Sequence, residues 1–367
     1  MPIYMDRHDV SESVTAESIA RLHQEDLRIQ QQFGCRGLTY WFDDKRKTAF
    51  CLIEAPNPQA LKEMHDRAHG QVPHQIIEVA PGIVESFLGR IEDPRKSDNT
   101  ELNIINEAAF RIIMVISISY WSLSEDDPAF KNLFGKFSQE LLKILRNQEG
   151  TTVTQTDYHY LISFKSAAKA VQAASHIHAA HKNFNKQGTK AKVGLKMGLN
   201  AGVPVTHKKS IFEDTIKLAE RMCEVVEGEI IVASEVKDLY QSENNHGFIK
   251  GKTVIPLSPS DENFITRLME YLEEAWCDAD LKIDHFTKPL GCSKSQFYRK
   301  MTFLSGKSPN DFLMHYRLKE ALKLLRKKAG NVSEIAFKTG FSSPSYFTKC
   351  FKSKFGILPA VYQSALH

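Results

Sequence analysis

Hydrophobic positions follow two rhythms along the chain. Over the first 92 residues, short extended runs bracket two stretches of helical spacing. Ile3 to Arg7 is extended and Thr15 to Phe33 helical. Gly37 to Phe42 and Thr48 to Ile53 flank the polar turn Asp43-Asp44-Lys45-Arg46-Lys47, a hairpin, and Pro58 to Ala68 and His74 to Val79 add a helix and a strand. Between residues 103 and 257 strands and helices alternate again. Ile112 to Ser119 is rich in β-formers, Ala129 to Arg146 is an amphipathic helix, and Tyr158 to Phe164 is a strand. Then come the helix Ser166 to Lys186, the stretch Ala191 to Leu199, the helix Ile211 to Val226 and the strand Glu229 to Ala233. From Asn263 onward the pattern is helical throughout, beginning with Phe264, Leu268, Tyr271 and Leu272 on one face. Two polar, proline-bearing stretches, Glu92 to Thr100 and Pro256 to Glu262, separate the three regions as linkers do.

The helical region carries its own punctuation. A short helix, Lys282 to Leu290, is followed by Gly291-Cys292-Ser293 and a second helix. Ser293 with Gln296 is a capping-box pair, and Phe297, Met301 and Leu304 form the inward stripe. Lys294, Ser295, Gln296, Arg299 and Lys300 are left outside. A long helix starts at the cap Ser308 with Pro309 and should end near Gly330. Asn331 with Glu334 opens a further short helix, Gly340 to Ser343 makes the turn, and Ser343 with Pro344 starts another helix. Phe347, Cys350 and Phe351 face in, and Ser345, Tyr346, Lys349 and Lys352 face out. A short helix, a tight turn and a second helix with a polar, basic outer face describe a DNA-reading helix-turn-helix, here made twice.

Charge sharpens this division. The 367 residues carry a net charge of only +4. Leu281 to His367 holds 16 Lys/Arg against 4 Asp/Glu, a balance of +12, which leaves −8 on the remainder. A basic end on an acidic body points to nucleic acid as the partner of that end. No apolar run approaches the roughly 20 residues of a membrane span. The six cysteines are scattered without a CxxC pair and read as reduced thiols of a cytoplasmic protein.

Ile335-Ala336, Gly340-Phe341, Ser345-Tyr346-Phe347, Phe351-Lys352, Phe355-Gly356, Pro359 and Tyr362 resemble the signature of AraC/XylS-type transcription regulators. The resemblance covers about 100 residues; Leu358 and Gln363 depart from the commoner Thr and Arg. It implies two helix-turn-helix units on one rigid helix, reading adjacent major-groove segments about 34 Å apart. Ser295, Gln296 and Arg299 would then face bases, Ser345, Tyr346 and Lys349 bases or phosphates, and Lys300 and Lys352 phosphates, with Lys294 and Ser343 also among the DNA-binding residues.

The βαββαβ order of the first region fits a ferredoxin-like sandwich. Five of the 14 histidines fall within its first 74 residues: His8, His23, His65, His69 and His74. His65 and His69 are i, i+4 on one helix, the spacing that brings two imidazoles to one ion, and His23 and Asp26 are i, i+3 on the other. Imidazole with carboxylate suits Ni, Zn or Cu, while capped and paired surface histidines are the plainer reading. YMDRH, Ala20 to Asp26, GCRGLTYWFDD, AFCLIEAPN and MHDRAHG are similar to small bacterial ferredoxin-like proteins, some of them nickel-binding. By that resemblance His23, His65 and His69 are ligands, with His8, Asp26 and Cys51 as additions.

VGLKMGLNAGVPV, IFEDTIKLAERM and GEIIVASEVKDLY in the middle region resemble class III adenylate/guanylate cyclase domains. That chemistry needs two metal-binding carboxylates. Ser117 stands where the first should be, Asp157 lacks the usual context of the second, and Lys217 replaces the family's Asn, although Arg221 remains. The resemblance therefore implies a degenerate domain for dimerisation or ligand sensing. His178 and His181, at i, i+3, fit a polar helix surface better than a second metal site. The whole reads as two α+β ferredoxin-like domains, 1–92 and 103–257, followed by an all-α double helix-turn-helix domain, 262–367. The expected function is sequence-specific transcription regulation without catalytic residues. Its expected partners are double-stranded DNA, a metal (Ni or Zn) or small-molecule effector and a second copy of the chain, with no membrane. The alternative is a nucleotide cyclase carrying a DNA-binding domain.

Overall fold

The computed structural model describes residues 1–95, 101–120, 128–186, 193–244 and 253–364. Part of the expected linker Glu92 to Thr100 (residues 96–100), and residues 191–192 of the expected strand at Ala191, lie outside the described residues. The first region folds as β1 (Ile3–Asp9), α1 (Ala16–Ile29), β2 (Arg36–Asp43), β3 (Thr48–Glu54), α2 (Pro58–His69), β4 (Gln75–Val79) and α3 (Pro81–Leu88). Its antiparallel sheet has the order β2-β3-β1-β4, that of a ferredoxin-like sandwich. Thr15 caps α1, and Asn57 with Pro58 starts α2.

The middle region runs β5 (Arg111–Tyr120), α4 (Pro128–Asn147), β6 (Thr151–Gln155), β7 (His159–Phe164), α5 (Ala167–Lys186), β8 (Val193–Gly202), α6 (Glu213–Val225), β9 (Ile230–Val232), α7 (Ser234–Glu243) and β10 (Val254–Pro256). The sheet order is β10-β9-β8-β5-β7-β6. Its inner strands repeat the βαββαβ order, with β9 and β10 added in parallel at one edge.

Alternation along β5 explains its continuous apolar run. Ile112, Met114, Ile116 and Ile118 face a core with α4 and α5, while Ile113 and Val115 face the other way. There they meet Met5, Trp41, Phe50, Leu52, Ile77 and Val79 from the opposite sheet. The two sheets thus cover each other within one chain. Arg111, 2% exposed, joins them: its guanidinium donates to the carbonyls of Phe87 and Leu88 at the end of α3 and of Ala108 and Phe110. Beside the sheet contact, α6 lies so close to β8 that a Cβ on Gly198 would sit 2.3 Å from the Ala219 carbonyl oxygen.

The last region is helical: α8 (Pro259–Ala275), α9 (Asp284–Leu290), α10 (Lys294–Ser305), α11 (Pro309–Arg326), α12 (Val332–Lys338), α13 (Pro344–Phe355) and α14 (Pro359–Ser364). The expected linker Pro256 to Glu262 is instead the end of β10 and the first turn of α8, where Ser258 and Asp261 form a capping box. The long helix stops at Arg326, before Gly330. The first helix-turn-helix shares a core with the middle region: Met222, Val225 and Val226 pack among Ile265, Leu268, Leu272, Phe297 and Leu304. Leu318, Leu322, Ile335, Phe347 and Phe351 make a separate core for the second.

Candidate metal centre and nucleic-acid interface

Asp6 and His8 are two apart on β1 and point to the same side of the sheet, toward α1 and α2. Cys51 reaches that side from β3, Asp26 from α1, and His65 and His69 from α2. Two groups of side chains have ligand atoms within 4.8 Å of one another: Asp6, His8, Cys51 and His65, and Asp26, His65 and His69. His65 lies at the centre. Its Nε2 is 2.9 Å from Asp6 Oδ2, and its Nδ1 is 3.1 Å from Asp26 Oδ1. His69 Nε2 stands 3.2 Å from the same Asp26 oxygen, and His8 Nε2 3.4 Å from Asp6 Oδ1. The Cys51 amide donates to Asp6 Oδ1 at 2.9 Å.

The site is dry, with Asp6 and His65 both 0% exposed. Burial opposes the charge on Asp6, yet His8 and His65 hold its carboxyl well below the usual carboxylate range. Burial opposes Asp26 likewise, and hydrogen bonds from His65 and His69 lower it. Burial also opposes a charge on His65, but the bonds and charges of Asp26 and Asp6 push it up to about 10. Burial, with the charges of Asp6 and Asp26, pushes the Cys51 thiol well up. Three imidazoles, two carboxylates and a thiol in one buried cluster fit a borderline transition ion such as Ni or Zn; calcium or magnesium would want oxygen.

His23, expected as a ligand, belongs to neither group among the described residues. Its Nε2 is 3.3 Å from Asp93 Oδ2 and its ring stacks obliquely on Tyr40. Asp6 was missed, although a strand places Asp6 and His8 on one face by simple alternation.

In the first helix-turn-helix, α9 and α10 meet at Gly291, whose φ of 62° needs glycine. Phe297, Met301 and Leu304 are buried, and Ser295, Gln296 and Arg299 are exposed. Gln296 Oε1 accepts from the Ser293 amide at 2.8 Å, so its carbonyl end is taken by the cap. Lys294 pairs with Asp284. Lys300 does not stand free: its ammonium is 2.9 Å from Asp261 and 3.1 Å from Ser260 Oγ. In the second unit Ser343 caps α13 by accepting from the Tyr346 amide. Ser345, Tyr346, Lys349 and Lys352 are exposed. Arg299, Lys349 and Lys352 make no ion pair among the described residues.

The residues expected from the cyclase resemblance are used otherwise. The Arg221 guanidinium is 3.4 Å from Glu270 and 3.1 Å from Glu273 of α8, and Lys217 pairs with Glu213. Ser117 lies within β5, opposite His159 and Lys196. Further ion pairs, Glu227 with Lys307 at 3.1 Å and Glu224 with Lys319, hold the DNA-reading region to α6 and its following loop.

Two family models match the chain: one described as "Nickel responsive protein SCO4226-like" over residues 4–79, and one described as "Helix-turn-helix domain" over residues 286–365. The probable transcription factor PqrA of Proteus vulgaris is 31% identical over 103 residues, 28% of this chain and 84% of that protein. Histidine kinase P4 of Formosa agariphila is 33% identical over 110 residues, 30% of this chain but 8% of the kinase. The chain spans about a third of the length of several other curated regulators. The crystal structure of SCO4226 from Streptomyces coelicolor A3(2) is 30% identical, covering 21% of this chain and 94% of that one, with a TM-score of 0.20.

Proposed function

The chain belongs to the AraC-type helix-turn-helix transcription regulators, and we propose that it is one whose grip on DNA answers to a transition metal held near its N-terminus. The observation that carries the DNA reading is the pair of helix-turn-helix units joined by α11, with polar faces of α10 and α13 left in solvent. Arg299 serves a base contact, since Arg reaches guanine with two hydrogen bonds. Lys349 and Lys352 serve phosphates, and Ser295, Tyr346 and Ser345 complete the two reading faces.

The buried cluster supports a metal effector. Asp6, His8, Cys51 and His65 would hold the ion, with Asp26 and His69 as the adjoining group. A bound ion would supply positive charge in place of the proton on His65 and would favour the ionised form of the Cys51 thiol. Its route to DNA is the packed series of N-terminal sheet, middle sheet, α6 and α8. Coupling further requires that the ion prefer one arrangement of that series over another. We assign no catalytic step to the middle region, because Arg221 is engaged by α8. A homodimer would use a surface other than the middle sheet face that Trp41 and its neighbours already cover. No helix among the described residues is long and apolar enough to cross a membrane.

Footprinting of the full chain on genomic fragments tests this, after chelation and again with added nickel or zinc. Discrete protected sites whose occupancy changes with metal are expected. Uniform, sequence-independent protection would remove the regulator reading, and occupancy indifferent to metal would remove the sensor reading alone.

A further inference from the structure

The two DNA-reading units have separate interiors, and α11 belongs to both. Its Phe312 and Leu313 lie in the core of the first unit, and its Leu318, Ala321, Leu322 and Leu325 in that of the second. The changeover falls between Leu313 and Leu318. A bare helix gives way at such a place by gentle curvature, as its outer hydrogen bonds lengthen. Arg317 stands at the changeover, half-buried, and its guanidinium reaches both ways.

Toward the first unit, Arg317 Nε donates to the Trp276 carbonyl at 2.8 Å and Nη2 to the Asp278 carbonyl at 2.6 Å, both in the loop between α8 and α9. The neighbouring Tyr316 ring meets the Trp276 ring edge-on, with centroids 6.1 Å apart. Toward the second unit, the same guanidinium lies against Gly340 in the turn between α12 and α13. A Cβ on Gly340 would sit 2.8 Å from Arg317 Nε, 2.9 Å from Cζ and 3.0 Å from Nη2. The absent side chain makes that room, and the φ of 75° suits glycine independently. A planar fork that donates to two carbonyls holds an angle as well as a distance. One side chain thus ties the loop after α8 to the joining helix and abuts the second turn.

We propose that Arg317 is the positioning residue that sets the separation and phase at which the two units meet DNA, an inference that rests on both units reading one site. Major-groove segments on one face of the duplex recur about every 34 Å, or about 10 base pairs. One inserted pair therefore moves the second segment by about 3.4 Å and turns it by about a tenth of a circle. Units locked at one angle cannot follow that change, whereas units joined by a yielding helix can. Arg317 need touch no base or phosphate to act. It selects among sites by their spacing, a property that the bases read by α10 and α13 do not express.

The test takes a site selected by the full chain from random-sequence duplex DNA, with two derivatives: one base pair added between the contacted segments, or one segment scrambled. The readout is the ratio of affinities for the original and lengthened sites. A lost charge or a general destabilisation lowers both affinities and leaves their ratio unchanged. The parent should prefer the original site by about tenfold or more, and Arg317→Ala by about threefold or less. Binding to the scrambled duplex, which one unit must hold alone, should be equal for the two proteins and shows that the variant is folded. Arg317→Lys keeps the charge without the fork; it should fall toward the alanine variant, and it decides the matter if the alanine variant does not fold. A parent indifferent to the added pair, or variants that discriminate as sharply as the parent, would overturn the proposal and leave the regulator reading intact. A chain that selects no discrete site would remove both.

Discussion

Asp6→Asn removes one negative charge from the driest part of the molecule while keeping the side chain's shape. Without metal, Asp6 and Asp26 together lift His65 from 6.5 to about 10. At 1.36 kcal/mol per pKa unit, such a shift corresponds to about 5 kcal/mol of stability in full. His65 is raised, so the contribution is complete below about pH 6.5 and drains away as pH climbs through about 10; roughly 4 kcal/mol remains at pH 7. The two carboxylates share it, so Asp6→Asn should cost the metal-free chain about 2 kcal/mol at pH 7. The loss should shrink as pH climbs through about 10 and vanish above it, where His65 is neutral in both proteins. Urea unfolding followed at Trp41, which is buried in the adjoining core, reads the difference in chelator at a series of pH values. A variant as stable as the parent at pH 7, or one whose deficit is constant up to pH 10, would refute the His65 charge on which the reasoning stands.

Other outcomes follow from the same geometry. Arg299→Ala should weaken specific DNA binding by about 1–3 kcal/mol and relax preference at one base position, measured by competition with altered sites. Lys352→Ala should weaken every sequence alike and reduce the slope of affinity against salt; a sequence-selective loss would contradict its assignment to phosphate. Gly198→Ala should destabilise the middle region by roughly 1–3 kcal/mol, since its Cβ meets the Ala219 carbonyl at 2.3 Å; unchanged thermal unfolding would show that α6 moves freely. Arg221→Ala should leave metal stoichiometry unchanged but speed proteolysis between α6 and α8, and no cleavage there would mean the shared apolar core alone holds them.

Much of the architecture was readable because local chemistry and global fold agree. The caps at Ser293, Ser308, Asn331 and Ser343 each accept a backbone amide as their spacing implied. The linker at Pro256 to Glu262 misled because serine, proline and acid make a linker and a helix start alike; only the bond from the Asp261 amide to Ser258 decides. Helix α3 went unread although Pro81 and Gly89 bracket it as an N1 proline and a C-terminal glycine do. Within the buried cluster of possible ligands, i, i+4 spacing pointed to two members, His65 and His69. The i, i+3 pair on α1 divides instead, Asp26 turning to His65 and His23 to Asp93, because spacing along a helix does not say where the neighbouring elements lie. His178 and His181 do not form the polar helix surface expected of them: their alanine-rich helix is buried around much of its circumference, with no polar stripe to betray the buried side.

The mutual covering of the two sheets has a consequence for how such a regulator can be rebuilt. Ile113, Val115 and Leu161 are kept from water by Met5, Trp41, Phe50 and Leu52. A domain attached by a string could be exchanged for another, as a plug is. This one forms the far wall of one of its neighbour's two sheet faces. Cutting the chain near residue 95 would bare a broad apolar sheet face, and the remainder should clump or recruit a foreign sheet before it ever reached a promoter. Any replacement N-terminal domain would have to bring the matching face with it.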